Sequence, residues 1–361
     1  MSDAAVSDPV IIIGSGPAGL AAAERLAKRN IEYVILEKGS TVASALRRVD
    51  PEMRLLSPKG LSLMPDMNLE PGTPTYLPFW VLVHELERYQ QQHQLKVSLD
   101  CMVITIRKDA HGFLVRYRNY EGKQHELRGS HVINATGIIS NPWLPDNFLF
   151  ESRHWRHSVD VRAQDLANAA RLLVVGGGAS AAEVLETWLR VRQEGDRAWL
   201  SLRSKLVAIP HWILGIDIHY LSWLPEHIPT GLFGWRAGRL TEPMTGRAVV
   251  KAIRKGLIEC SPPVRSYNGW EVEFENGERI EPELIVFATG FRYLLEHLKE
   301  VVDLDPDGRP LVKNCESTRT PGMFLLGYRF GRTFASPYLR GIARDAEFVA
   351  KRIAREKLHN E

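Results

Sequence analysis

Val10-Ile11-Ile12-Ile13-Gly14-Ser15-Gly16-Pro17-Ala18-Gly19 is the stretch on which the fold of this chain turns. Four β-branched residues in a row read as a strand buried on both faces. The glycines follow at the spacing G-x-G-x-x-G. Residues 20–30 carry Ala21, Ala22, Ala23, Leu26 and Ala27, which predicts a helix. Tyr33-Val34-Ile35-Leu36 predicts a second strand, ending at Glu37. In this order each residue type has a task. Gly14 permits the tight turn, Gly16 lets the backbone approach a pyrophosphate, and Gly19 lets the helix pack close to the strand. The helix N-terminus offers free N–H groups and the positive end of a dipole. Glu37 can accept hydrogen bonds from two ribose hydroxyls. The expectation is an adenine-dinucleotide site built from Gly14, Ser15, Gly16, Pro17, Ala18, Gly19, Glu37 and Lys38.

The unit recurs. Arg171-Leu172-Leu173-Val174-Val175 reads as a strand, and Gly176-Gly177-Gly178-Ala179-Ser180-Ala181 gives G-x-G-x-x-A. Residues 182–191 read as a helix, and Ala198-Trp199-Leu200-Ser201-Leu202 as the next strand. This strand ends in Arg203-Ser204-Lys205 rather than an acid. Cations attract a 2′-phosphate that an acid would repel, so NADPH is expected over NADH. The plain alternative is a solvated, charged strand end. A second repeat accompanies the first. Residues 132–137 and 284–290 are both apolar strands ending in Ala-Thr-Gly, which places Thr136, Gly137, Thr289 and Gly290 beside the two loops. Small residues there let the chain cross close to a nucleotide.

The whole chain has 361 residues, with 46 Lys+Arg against 43 Asp+Glu. Apolar residues make 44% and charged residues 25%, which excludes a disordered chain and allows roughly two domains. A formal charge of +3, scattered, argues against nucleic-acid binding. Cys101, Cys260 and Cys315 lie far apart, so a disulfide scaffold, a structural zinc site and a vicinal dithiol are not expected. The leader before Pro9 holds Asp3 and Asp8 and no Lys or Arg, unlike a secretory signal, and no long uncharged apolar run follows. A cytoplasmic protein is expected.

Together these motifs resemble the two-dinucleotide-binding-domain flavoproteins, and more narrowly the class B flavin monooxygenases. Residues 135–145, Ala-Thr-Gly followed by Pro142 and Pro145, resemble the family's A-T-G…P…P segment. His157-Ser158 stands where its F-x-G-x-x-x-H fingerprint ends, with Ser152 near the expected glycine after Phe150. Residues 203–210 resemble the stretch after the NADPH strand in plant YUCCA-type enzymes. Phe287-Ala288-Thr289-Gly290-Phe291-Arg292 matches A-T-G-[YF], and residues 321–328 resemble the last strand toward the flavin, ending at Gly327. Where the family carries G-G-T-W-R, this chain has Ala43-Ser44-Ala45-Leu46-Arg47. The asparagine many members place near the flavin is replaced by Leu56-Ser57-Pro58-Lys59.

The resemblance implies an α/β fold of two Rossmann-like domains. The FAD domain takes residues 1–160 and 283–361, and the NADPH domain, residues 161–282, is inserted in it. Leu46, Arg47, Val103 and Gly327 join the FAD site, and Ser57, Lys59 and Arg332 are possible flavin neighbours. FAD and NADPH are the implied cofactors, with O2 and a small molecule as substrates. The implied reaction is formation of a flavin C4a-(hydro)peroxide and oxygenation at nitrogen, sulfur or a carbonyl. The alternatives are a flavin-dependent NAD(P)H oxidoreductase that passes electrons to a quinone, a protein or O2, and a nucleotide-binding subunit without turnover. No catalytic side chain and no metal is assigned. Residues 209–247, with Trp212, Tyr220, Trp223, Phe233 and Trp235, are expected to be a helical insertion packed on its own domain; a channel cover or a membrane contact is the other reading. His211, His219 and His227 are too irregularly spaced for a metal set.

Overall fold

The structure, a computed structural model, describes residues 8–146, 154–206, 208–209, 211–230, 244–245, 247–329 and 331–360. The first domain opens with β1 (Val10–Ile13), α1 (Pro17–Ala27) and β2 (Tyr33–Leu36). There follow α2 (Phe79–Gln92), β3 (Val97–Ser98), β4 (Met102–Asp109), β5 (Gly112–Arg118), β6 (Gln124–Gly129) and β7 (His131–Asn134). β1 lies between β2 and β7, parallel to both, with Val10 opposite Tyr33 and His131. The strand Met323–Leu325 adds in parallel beside β7, so the end of the chain completes this sheet.

The two faces of β1 explain its unbroken apolar run. Val10 and Ile12 pack with α1 and the C-terminal helix Leu339–Asn360. Ile11 and Ile13 pack with Phe113 and Val115 of the antiparallel β4–β6 sheet. Both faces are covered, so alternation is absent.

The second domain holds β8 (Trp155–His157), α3 (Ala163–Ala167), β9 (Arg171–Val175), α4 (Ala179–Val191) and β10 (Arg197–Ser201). Its parallel sheet runs Ile258–Ser261, β10, β9, Leu284–Phe287, β8. Leu172 and Val174 pack beneath α4 around the fully buried Trp188. Leu173, Ile285 and Phe287 meet Tyr267, Val272 and Phe274, which belong to a second three-stranded antiparallel sheet. The duplication therefore extends past the motifs: each main sheet has helices on one face and a small antiparallel sheet on the other.

Sheet membership shifts the domain edges expected at 160 and 283. β8 pairs with Leu284–Phe287, and both belong to the second sheet. The reason is the hydrogen-bond ladder, which apolar pattern alone does not reveal.

The described part of the aromatic segment departs from the expected helical insertion packed on its own domain: it is mainly a hairpin, tied to Tyr76 of the first domain. Trp212–Ile213 and Ile216–Asp217 form a hairpin, followed by two single helical turns. Leu214 at the tip is 98% exposed, and Trp212, Tyr220 and Leu224 are largely exposed too. One buried carboxylate fastens the hairpin. Asp217 accepts from Tyr76 Oη at 2.7 Å, His211 Nε2 at 3.1 Å, and His219 through Nδ1 and the backbone N–H at 2.8 Å each. The chain here is organised by a hydrogen-bonded acid, which aromatic content does not signal. Phe150, Ser152, Phe233 and Trp235 lie outside the described residues.

Candidate functional site

The two glycine loops are superposable in their logic. Gly14 has φ +96°, and a Cβ there would sit 2.8 Å from the Ala135 carbonyl oxygen. Gly176 has φ +122°, and its Cβ would sit 2.3 Å from the Ala288 carbonyl oxygen. In both domains the first glycine thus turns the chain directly against the alanine of Ala-Thr-Gly. The backbone repeats the match. Gly14 N–H donates to Leu36 and Ala135 N–H to Ile13; Gly176 N–H donates to Ser201 and Ala288 N–H to Val175. Residues far apart in sequence are joined by the ladder of the parallel sheet.

The second glycine of each loop, Gly16 and Gly178, is the N-cap of its helix, and a Cβ at either would meet nothing within 4 Å. That is open space over a helix N-terminus whose first-turn amides have no intrahelical acceptor. It fits a pyrophosphate. The third position sets helix–strand distance. At Gly19 a Cβ would lie 1.9 Å from the Gly14 carbonyl oxygen, whereas Ala181 is fully buried and tolerated in the second copy. Pro17 opens α1 where its missing N–H costs nothing. Gly327, φ +79°, brings the end of the last strand to Ala18, with 3.4 Å from its notional Cβ to that of Ala18.

The strand ends differ in charge. Glu37 is buried and accepts four hydrogen bonds: Ser15 N–H at 2.8 Å, Ser15 Oγ at 2.7 Å, and Gly39 N–H and Ser44 Oγ at 2.8 Å each. Ser44 belongs to the loop that departs from the family's G-G-T-W-R, so this departure supplies a partner for the acid. Arg203, Ser204 and Lys205 are exposed, with the Arg203 guanidinium 5.9 Å from the Trp143 ring. Lys38 is exposed beside Glu37, and Val103 is partly buried beside the β4–β6 core. Ala179 and Ser180 form the first turn of α4. Gly137 and Gly290 both take positive φ, +64° and +90°, with open space at their Cα atoms.

Other expected neighbours have partners within the chain. Leu46 packs between the two main cores, and Arg47 pairs with Glu87 on α2. Ser57 bonds Ser62, Lys59 donates to the Thr73 carbonyl, and Arg332 pairs with Asp345.

A buried network under the first Ala-Thr-Gly was not legible in sequence. Asn134 Nδ2 donates to Tyr328 Oη and to Thr136 Oγ1, and the last two bond each other at 3.0 Å. His297 Nε2 donates to Asn134 Oδ1 at 2.9 Å. Burial pushes the His297 pKa down to about 4 and raises that of Tyr328, so both are neutral near pH 7. The second Ala-Thr-Gly is held from β8 instead: His157 Nε2 donates to the Gly290 carbonyl at 3.0 Å, and burial keeps that ring neutral as well. The three cysteines are free thiols. No helix among the described residues is long and apolar enough to cross a membrane.

Comparison with known proteins agrees with this geometry. An oxidoreductase of Geobacillus kaustophilus described as CzcO-like is 26% identical over 347 residues, covering 94% of this chain and 96% of the relative. A probable indole-3-pyruvate monooxygenase of Arabidopsis thaliana, YUCCA8, is 26% identical over 324 residues, 80% of this chain and 75% of the relative. The solved flavin-containing monooxygenase from Stenotrophomonas maltophilia has the same fold, with a TM-score of 0.74 at 23% identity over 97% of this chain and 99% of that one. The resemblance to flavin monooxygenases is thus met in sequence and in fold. The model of the pyridine nucleotide-disulphide oxidoreductases matches residues 11–200, more than half the chain, and it is to this family that the chain belongs.

Proposed function

We propose that the protein is an FAD-containing, NADPH-dependent monooxygenase that oxygenates a small organic substrate at nitrogen, sulfur or a carbonyl group. The observation that carries this reading is the pair of matched cradles with opposite strand ends, Glu37 at one and Arg203 with Lys205 at the other. The acid suits a ribose with both hydroxyls free, as in FAD, and the cations suit a ribose that carries a 2′-phosphate. The chemistry supplied by the bound pair is hydride transfer and activation of O2.

The chain's own residues place that chemistry. The α1 and α4 N-termini hold the two pyrophosphates. Gly14, Gly19 and Gly176 allow the backbone to close on them. Thr136, fixed by Asn134 and Tyr328, and Gly290, fixed by His157, set the floors of the two sites. With His297 and His157 neutral, these floors bring no charge toward the cofactors. The isolated thiols offer no dithiol relay, so electrons leave through oxygen or an external acceptor.

The test is a balance sheet of NADPH consumed, peroxide released and oxygenated product formed, over amines, sulfides and ketones. A monooxygenase couples NADPH use to product with little free peroxide. NADPH use that ends entirely in peroxide, or needs a quinone acceptor, establishes the oxidoreductase alternative. A purified protein that is colourless and takes up no FAD overturns both.

A further inference from the structure

A cavity of about 320 Å³ lies where α4 faces the segment 54–56 of the other domain. Glu183, Glu186, Thr187 and Arg190 line it. Their spacing is i, i+3, i+4, i+7, which is one helix face. It is the face turned away from the sheet, since Ala182, Val184, Leu185 and Trp188 fill the core behind it. Arg54 closes the opposite wall.

None of Glu183, Glu186, Arg190 and Arg54 holds a close ion pair among the described residues, although Glu186 and Arg190 attract each other across one helical turn. Among the described residues Glu183 and Glu186 accept no hydrogen bond and join no ion pair, and Arg54 has no carboxylate partner. Arg190 donates to the Thr187 hydroxyl at 2.9 Å, although Glu186 stands one turn away, where such pairs normally form. Burial, helped by Glu186, lifts the Glu183 carboxyl to about 8. Burial and Arg54 lower the pKa of Arg190, which puts the two cations side by side. The two arginines stand in water, so the cost of burial falls on the two acids, whose ionised forms are disfavoured until a cation stands beside them.

The charges are also sorted. The acids sit toward the α4 N-terminus, while Arg190 and Arg54 mark the far end. Glu186 and Arg190 stand one turn apart, about 6 Å along the axis, a span over which the two side chains can converge on an ammonium and a carboxylate carried by one carbon. Leu56 and Trp212 give the wall an apolar side, and Asp217 fixes Tyr76 and His211 at its rim. The volume suits a single small molecule.

We propose that this cavity binds a small zwitterion with an apolar side group, its ammonium taken by Glu183 and Glu186 and its carboxylate by Arg54 and Arg190. The proposal concerns binding and requires no turnover, so it stands or falls separately from the monooxygenase reading. If both hold, the zwitterion is the molecule oxygenated.

The experiment is calorimetric titration of the flavin-loaded protein with three probes sharing one ring: L-phenylalanine, phenethylamine and 3-phenylpropionate. The expected result is that the zwitterion binds at least about tenfold more tightly than either singly charged probe. In the double variant Glu183→Gln, Glu186→Gln, L-phenylalanine and phenethylamine lose about tenfold or more, while 3-phenylpropionate is unchanged. In Arg190→Leu the pattern reverses, with phenethylamine unchanged. Equal affinity for all three probes, or no saturable binding of any at about 1 mM, overturns the proposal on the wild-type protein alone, whatever the variants do. Equal losses for all probes in both variants overturn it too.

Discussion

Replacing Glu183 by glutamine should remove the fall in stability that this carboxyl imposes between about pH 4.5 and 8. In the unfolded chain this glutamate titrates near 4.5, and in the fold, where burial and then the charge of Glu186 oppose ionisation, it titrates at about 8. Between those values the native state keeps a proton that the unfolded state has released. Raising the pH therefore favours unfolding, and the loss is complete once the pH passes the folded value. The gap is about 3.5 units at about 1.36 kcal/mol each, a ceiling near 5 kcal/mol. Glu183 keeps partial contact with the cavity, so about 2–3 kcal/mol is expected. Glutamine has the same shape and does not titrate. The assay is urea unfolding of ligand-free holoprotein, wild type and Glu183→Gln, at about pH 5.5, 7 and 8.5. The variant should gain on the wild type steadily with pH. Parallel pH profiles would show that Glu183 is ionised and solvated in the fold, and the reasoning about the cavity charges would fail with it.

Two further outcomes follow from the cradles. Arg203→Ala should raise the KM for NADPH about tenfold or more and leave that for NADH unchanged, because only the 2′-phosphate meets this side chain; equal changes in steady-state assays with the two nucleotides would remove the phosphate role. Gly19→Ala should abolish flavin binding, since its Cβ would lie 1.9 Å from the Gly14 carbonyl oxygen and backbone cannot yield that space for less than about 3 kcal/mol; a purified variant with the flavin absorbance of the wild type would contradict that.

Much of the fold was readable because the loops concentrate their information locally. Gly14, Gly16 and Gly19 each answer to a steric demand within a few residues or across one strand, and the same holds for Gly176, Gly178 and Ala181. The Ala-Thr-Gly repeats were equally plain, and the structure explains them: Ala135 and Ala288 are the residues against which the two leading glycines close. The domain edges were less legible, because β8 and Leu284–Phe287 declare their sheet only through pairing.

By itself, then, the sequence determined two glycine cradles and the sign of the charge at each strand end, since these rest on backbone geometry and residue type at short range. Tertiary structure alone decided which polar groups meet. It brought Asn134, Tyr328 and His297 together under Thr136, gathered Tyr76, His211 and His219 on Asp217, and set Arg54 across a cavity from Glu183, Glu186 and Arg190. The links of Asn134 to Tyr328 and His297 and of Tyr76 to Asp217 join residues 194, 163 and 141 positions apart, and hydrogen bonds of this kind have no periodicity for a sequence to display.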